Sequence, residues 1–189
     1  MQPIGQVVRF TRMLRAESAS KETTPIEGTR LEELYLSHAH SAKRIAYLLT
    51  GDAALADDLV QDAFVRLAGR FVDFRHPDAF SAYLRKTIVN LARSRFRRSK
   101  HEREHFNREA GRRESHSSLP DVALKLEVRA ALMKLNIRQR TALVLRYYAD
   151  LPDAQIADLL GCRIGTVKSL VSRGAAALRA ELRGGSHGS

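Results

Sequence analysis

Thr166, Lys168, Ser169, Ser172 and Arg173 are five hydrogen-bond donors within eight consecutive positions of the chain. On the outward side of a helix, such donors can reach base edges and phosphates in a major groove. The stretch around them, Asp153 to Leu178, suggests what would hold them there. Counted from Asp153, Ala157, Gly161 and Val167 fall at positions five, nine and fifteen. A helix-turn-helix needs a small residue where its helices meet, a residue tolerant of positive φ in the turn, and an apolar residue where the second helix docks back. Ala157, Gly161 and Val167 meet those needs in that order. An ordinary helical hairpin is the plainer alternative, and the charge of the chain argues against it.

Three other groupings could carry chemistry. Arg85, Lys86, Asn90, Arg93 and Arg95 read as one face of a helix that runs on into Arg97, Arg98 and Lys100. Tyr83 and Phe96 lie among these cations and could stack on bases beside phosphate contacts, or pack into a core. Asp57, Asp58, Gln61 and Asp62 form a polar, acidic face in a basic chain, which a solvated surface would also explain. His101-Glu102-x-x-His105 has the spelling of a zinc hydrolase motif, with two imidazoles one turn apart and a carboxylate between them. It sits in a polar segment with no apolar face to bury a metal, so no metal site and no cofactor is expected. His38 and His40 are two apart and cannot share a helix face. Cys162 lies in the turn of the helix-turn-helix, as a small filler or a redox-sensitive thiol.

The elements that must position these groups are all helical. The chain has 189 residues and a formal charge of +11, with 44% hydrophobic residues. That is a globular composition whose charge calls for a polyanionic partner, nucleic acid before an anionic membrane. No run approaches the roughly 20 apolar residues of a spanning helix. No secretory signal is read at the N-terminus, and one cysteine suits a reducing cytoplasm. Residues 1–30 read as a disordered extension, with Val7, Val8, Phe10, Met13 and Leu14 in a weak pattern among arginines. Thr29-x-x-Glu32 spells a capping box for a first helix. Asp52 can cap a second, where Leu55, Leu59, Val60, Phe64, Val65, Leu67 and Ala68 make an apolar face. Asp78 can cap a third, with Phe80, Tyr83, Leu84, Ile88, Val89, Leu91 and Ala92 inward. Residues 101–120 read as a linker. Beyond it, Asp121 and Asp153 are candidate caps, Asn136 is a break, and Ala142, Leu143, Val144, Leu145 and Tyr148 are candidate core. With no period-two pattern, the expected fold is all-α: two small helical domains joined by a flexible linker, the second containing the helix-turn-helix.

The segments AYLLTGD, ADDLVQDAFVRLAGRF, AYLRKTIVNLARSRFRR, RQRTALVLRYYADL and QIADLLGCRIGTVKSLVSR occur in that order. Together they resemble the extracytoplasmic-function (ECF) sigma factors, small bacterial sigma subunits that retain only regions 2 and 4. The resemblance covers residues 31–183. It implies region 2 over 31–100, region 4 over 121–183 and a tail at 184–189, with no C-terminal regulatory domain. It further implies a cytoplasmic initiation factor, not an enzyme, that binds core RNA polymerase and directs it to promoters. Asp57, Asp58, Gln61, Asp62 and Val65 would dock on the β′ coiled coil, and region 4 would meet the β flap. Tyr83, Arg85, Lys86, Asn90, Arg93, Arg95, Arg97 and Arg98 would recognise and melt the minus-ten element, Asn90 helping to hold a flipped base. Extruding that base costs a few kcal/mol, which the pocket must offset. Arg163, Thr166, Lys168, Ser169, Ser172 and Arg173 would read the minus-thirty-five duplex. An anti-sigma factor is the expected further partner, and no stable membrane insertion is expected. Leu170 and Ala175 depart from the family, which often has arginines there; Gly174 departs by weakening the helix. A helix-turn-helix regulator acting without polymerase and a zinc hydrolase using His101, Glu102 and His105 are the competing readings.

Overall fold

The computed structural model describes residues 25–68, 77–105 and 122–185. The helices are α1 (Pro25–Thr50), α2 (Ala53–Ala68), α3 (Pro77–His105), α4 (Val122–Lys134), α5 (Ile137–Leu143), α6 (Asp153–Leu160) and α7 (Ile164–Gly185). A π-helical turn, Val144–Tyr148, continues α5. No strand occurs among the described residues.

Two of the sequence boundaries move. Helix α1 starts at Pro25, so Thr29 and Glu32 lie within it and not at its start. Proline suits a first helical position because its φ is preset and its missing N–H is not needed there. Helix α3 runs to His105, so the His101–His105 segment is its last turn and not the start of a linker. The side chains of Asp78, His101, Glu102, His105 and Asp121, and all of residues 1–24 and 106–121, lie outside the described set. Among the described residues, no three His, Cys, Asp or Glu side chains gather in a metal-binding cluster.

The first domain packs α1, α2 and α3 around a buried aromatic pair. The Phe64 and Phe80 ring centroids lie 5.7 Å apart, and Tyr35 sits 4.9 Å from Phe64. Tilted pairs at this range add to the burial energy of the rings. Gly51 turns the chain between α1 and α2 at φ 72°, a region L side chains avoid. Asp52 caps α2 as expected, its Oδ1 accepting from the Leu55 N–H at 3.0 Å.

In the second domain, Asn136 does more than interrupt. Its side chain accepts from the Gln139 N–H at 2.9 Å, and its own amide reaches Gln139 Oε1 at 2.6 Å. That reciprocal pairing starts α5 directly after α4. Asp153 caps nothing: Pro152 holds the cap position of α6, and Asp153 lies 3.7 Å from Arg146. Tyr148 is 36% exposed and not core, because the π-helical turn swings it outward under the Arg44 guanidinium. The helix-turn-helix forms as read. Gly161 sits at φ 62° and ends α6, Ala157 and Val167 are buried at the crossing, and the Cys162 N–H donates to Ala157 O at 3.0 Å.

Candidate nucleic-acid interface

Helix α3 carries its polar residues on more than one side. At about 100° per residue, Tyr83, Lys86, Asn90, Arg93 and Arg97 fall within an arc of roughly 80°. Lys86, Asn90 and Arg97 are exposed and Tyr83 is 48% exposed, so the inward placement expected for Tyr83 is corrected. The opposite arc holds Phe80, Leu84, Ile88 and Leu91, all buried. A cation, an amide that can both donate and accept, and an aromatic ring therefore share one surface. That combination can track phosphates and hold an unstacked base.

Arg85 does not join that stripe. It is half-buried on the α1 side, where it lines a cavity of about 20 Å³ with His38, Ser41 and Ser81. Its Nε is buried and has no hydrogen-bond partner among the described residues. Burial lowers the pKa of Arg85. The His38 pKa is also lowered, by burial first and by the Arg85 charge second. Arg95 and Arg98 are exposed but lie on the other side of the helix from the stripe, so the expectation of one basic face is corrected to one stripe with two cations outside it. Arg93 is half-buried, and its Nη1 donates to Leu160 O of α6 at 3.4 Å.

On α2, Asp58, Gln61 and Asp62 are exposed and Val65 is half-buried, all within one arc. The side chains of Asp58, Gln61 and Asp62 form no hydrogen bond or ion pair with another described residue. Asp57 stands apart, paired with Lys43 of α1 at 2.9 Å. The helix needs none of the exposed acids for its packing, which rests on Leu59, Val60, Ala63, Phe64 and Leu67.

On α7, Lys168, Ser169, Ser172 and Arg173 are exposed, Arg163 is exposed just before the helix, and Thr166 is half-buried. The Ser169 hydroxyl donates back to Gly165 O at 3.0 Å, and Arg173 Nε donates to Ser169 O at 3.3 Å. Lys168 and Ser172 make no such internal bond. Leu170, at the position where an arginine was the family expectation, is buried in the core. Gly174 also has a structural reason. A Cβ there would lie 3.2 Å from Leu143 Cγ and Cδ1, where α7 crosses α5.

Sequence reading missed Arg140. Its side chain is 4% exposed and has no carboxylate partner among the described residues. Nε donates to Leu132 O at 2.9 Å, Nη2 to Met133 O at 2.8 Å and Leu135 O at 3.0 Å, and Nη1 to Leu49 O at 2.6 Å. The guanidinium also lies 5.1 Å from the Phe96 ring centroid. One signal was available: Arg140 lies three and four residues before Leu143 and Val144, on the apolar side of α5.

The sigma-70 region 2 family matches residues 34–102, and the sigma-70 region 4 family matches residues 125–178. The ECF RNA polymerase sigma factor EcfG of Rhodopseudomonas palustris is 33% identical over 155 residues, covering 80% of this chain and 84% of that protein. SigW of Bacillus subtilis is 29% identical over 154 residues, covering 74% and 82%. Among solved structures, the sigma factor RpoE of Bartonella quintana, in complex with the anti-sigma factor NepR, matches with a TM-score of 0.69 and 25% identity. That match covers 80% of this chain and 96% of RpoE. CnrH, in complex with the cytosolic domain of CnrY, matches with a TM-score of 0.60 and 26% identity over 93% of this chain and 98% of its own.

Proposed function

The chain belongs to the ECF sigma factors, transcription initiation factors that direct bacterial RNA polymerase, and on that premise we propose how its two domains divide the work. Helix α2 docks on the polymerase through Asp58, Gln61, Asp62 and Val65, against the β′ coiled coil. Asp57 contributes less, because Lys43 already neutralises it. The α3 stripe of Tyr83, Lys86, Asn90, Arg93 and Arg97 takes the minus-ten strand as it leaves the duplex, and Arg95 and Arg98, on the other side of α3, add positive charge that attracts the DNA backbone from a distance. Arg85 serves α1–α3 packing and makes no strand contact. In the second domain, Lys168, Ser172 and Arg173 read the minus-thirty-five duplex, flanked by Arg163, Thr166 and Ser169, while region 4 meets the β flap. The phosphodiester chemistry stays with the polymerase, in the cytoplasm where the polymerase works. Because RpoE was solved with the anti-sigma factor NepR, an anti-sigma factor is the proposed regulator of this chain as well.

The observation that carries this division is the α3 stripe, which joins an exposed aromatic ring, an amide and cations on one face of the domain that also bears the acidic α2 face. The test is reconstitution. Core polymerase supplied with the chain starts transcripts at discrete sites on genomic fragments, and core alone does not. Asp58→Lys with Asp62→Lys lowers core affinity by tenfold or more while circular dichroism stays normal. Wild-type core affinity in that variant removes the docking assignment.

A further inference from the structure

Ile164 is 47% exposed at the first position of α7, the helix that carries the donors of the second domain. Single exposed apolar side chains are ordinary on protein surfaces, and Leu36 of α1 is one. What sets Ile164 apart is its company. At about 100° per residue, Ile164, Lys168, Ser172 and Gly165 span an arc of roughly 100°, and the buried Val167, Leu170 and Gly174 fall outside it. Ile164 therefore stands one turn before Lys168 and two before Ser172 along a single exposed row. Among the described residues it belongs to neither buried cluster. The helix gains nothing from it, since alanine has the higher helix propensity.

Gly165 points the same way. It is exposed, its φ is not positive, and a Cβ there would meet nothing within 4 Å. Gly51 and Gly161 each turn the chain at positive φ, and Gly174 lies against Leu143. Neither reason applies to Gly165. Bare backbone beside Ile164 lets the start of α7 lie close against another surface. Lys168 and Ser172 on the same row fit the major groove of a duplex, where the first residues of a recognition helix meet base edges. Thymine presents an apolar C5-methyl in that groove, a group the other three bases lack.

We propose that Ile164 is a specificity-determining residue, its side chain packing on the C5-methyl of one thymine in the minus-thirty-five duplex. The proposal rests on the functional reading above and deepens it at α7. It also sets a register. Ile164 and Lys168 are about 6 Å apart along the helix axis, and successive base pairs rise about 3.4 Å. The thymine therefore lies within about two base pairs of the pair that Lys168 contacts. The donors of α7 read hydrogen-bonding edges; Ile164 adds a methyl to what is read, and discriminates thymine from cytosine by it.

The experiment reconstitutes the full chain with core polymerase and takes as template a promoter it starts from on genomic fragments. Each thymine of the minus-thirty-five element is replaced in turn by deoxyuridine, which removes only the methyl, and closed-complex affinity is measured. At one thymine the wild-type chain loses about fourfold, the size of effect that one buried carbon gives. Ile164→Ala binds the thymine and deoxyuridine duplexes equally. At the same position, paired with guanine, 5-methylcytosine binds the wild-type chain more tightly than cytosine does, and Ile164→Ala does not distinguish them. An equal deoxyuridine effect in both proteins overturns the proposal, as does an element in which no thymine responds. So does an Ile164→Ala chain whose only loss is in binding core polymerase without DNA, which assigns the side chain to a protein contact. If the wild-type chain gives no discrete starts at all, the functional reading fails instead, before any substituted template is needed.

Discussion

Arg140 shows how much one side chain can organise without a counter-ion. Its guanidinium ends α4 by accepting the role of a cap for three carbonyls, and joins the end of α1 through a fourth. Burial pushes its pKa down to about 10, so it stays charged at neutral pH. Because the folded value lies below the free one, its burial penalty is present at every pH below about 10 and adds no pH dependence near neutrality. Arg140→Ala leaves several buried carbonyls unpaired, and each costs about 1–3 kcal/mol. The expected loss is at least about 3 kcal/mol by urea unfolding, and Arg140→Lys recovers little of it because an ammonium cannot reproduce the planar fork. A loss under about 1 kcal/mol contradicts this account. His38 gives the pH-sensitive case. Its pKa is lowered by burial and by Arg85. The unfolded chain therefore binds the proton more readily than the folded one. Stability is full above the free histidine value near 6.5 and falls as pH drops through it toward the folded value. His38→Gln flattens the stability profile between pH 7 and 5; an unchanged slope removes His38 as its source.

At the scale of elements, the helix-turn-helix was legible in the sequence because its determinants are local. Ala157, Gly161 and Val167 lie within one supersecondary unit, and the positive φ of Gly161 follows from the turn itself. Asp52 was legible as a cap for the same reason. The polar faces of α3 were less so. Composition named the cations, but only the packing against α1 shows that Arg85 turns toward His38 while Lys86, Asn90 and Arg97 stay in the stripe. Gly174 marks a further limit. Propensity alone says that Gly174→Ala gains up to about 1 kcal/mol. The crossing of α7 over α5 sets a close contact with Leu143 against that gain. The expected result is a near-neutral change in the urea midpoint; the full propensity gain shows that Leu143 yields freely.

At the scale of the molecule, the relation between domains was not legible at all. The bond from Arg140 to Leu49 O joins residues 91 apart, and that of Arg129 to Tyr47 joins residues 82 apart. Contacts at such separations leave no periodicity and no motif in a single sequence. The helical elements could be read from local pattern and family resemblance; the contacts between residues so far apart in the chain could not. The central claim is that these domains divide initiation between them, α7 reading a duplex and the α3 stripe holding a strand once it is open. The direct measurement is the rate of promoter opening by reconstituted holoenzyme on two templates, one fully duplex and one with a pre-melted minus-ten bubble. Asn90→Ala leaves closed-complex binding near wild type, slows opening on duplex, and is partly rescued by the bubble, which removes the unpairing cost. Lys168→Ala or Arg173→Ala weakens complex formation by roughly 1–3 kcal/mol through the minus-thirty-five element and is rescued less. Wild-type opening by Asn90→Ala, or undiminished minus-thirty-five dependence in both α7 variants, contradicts the corresponding half of that division.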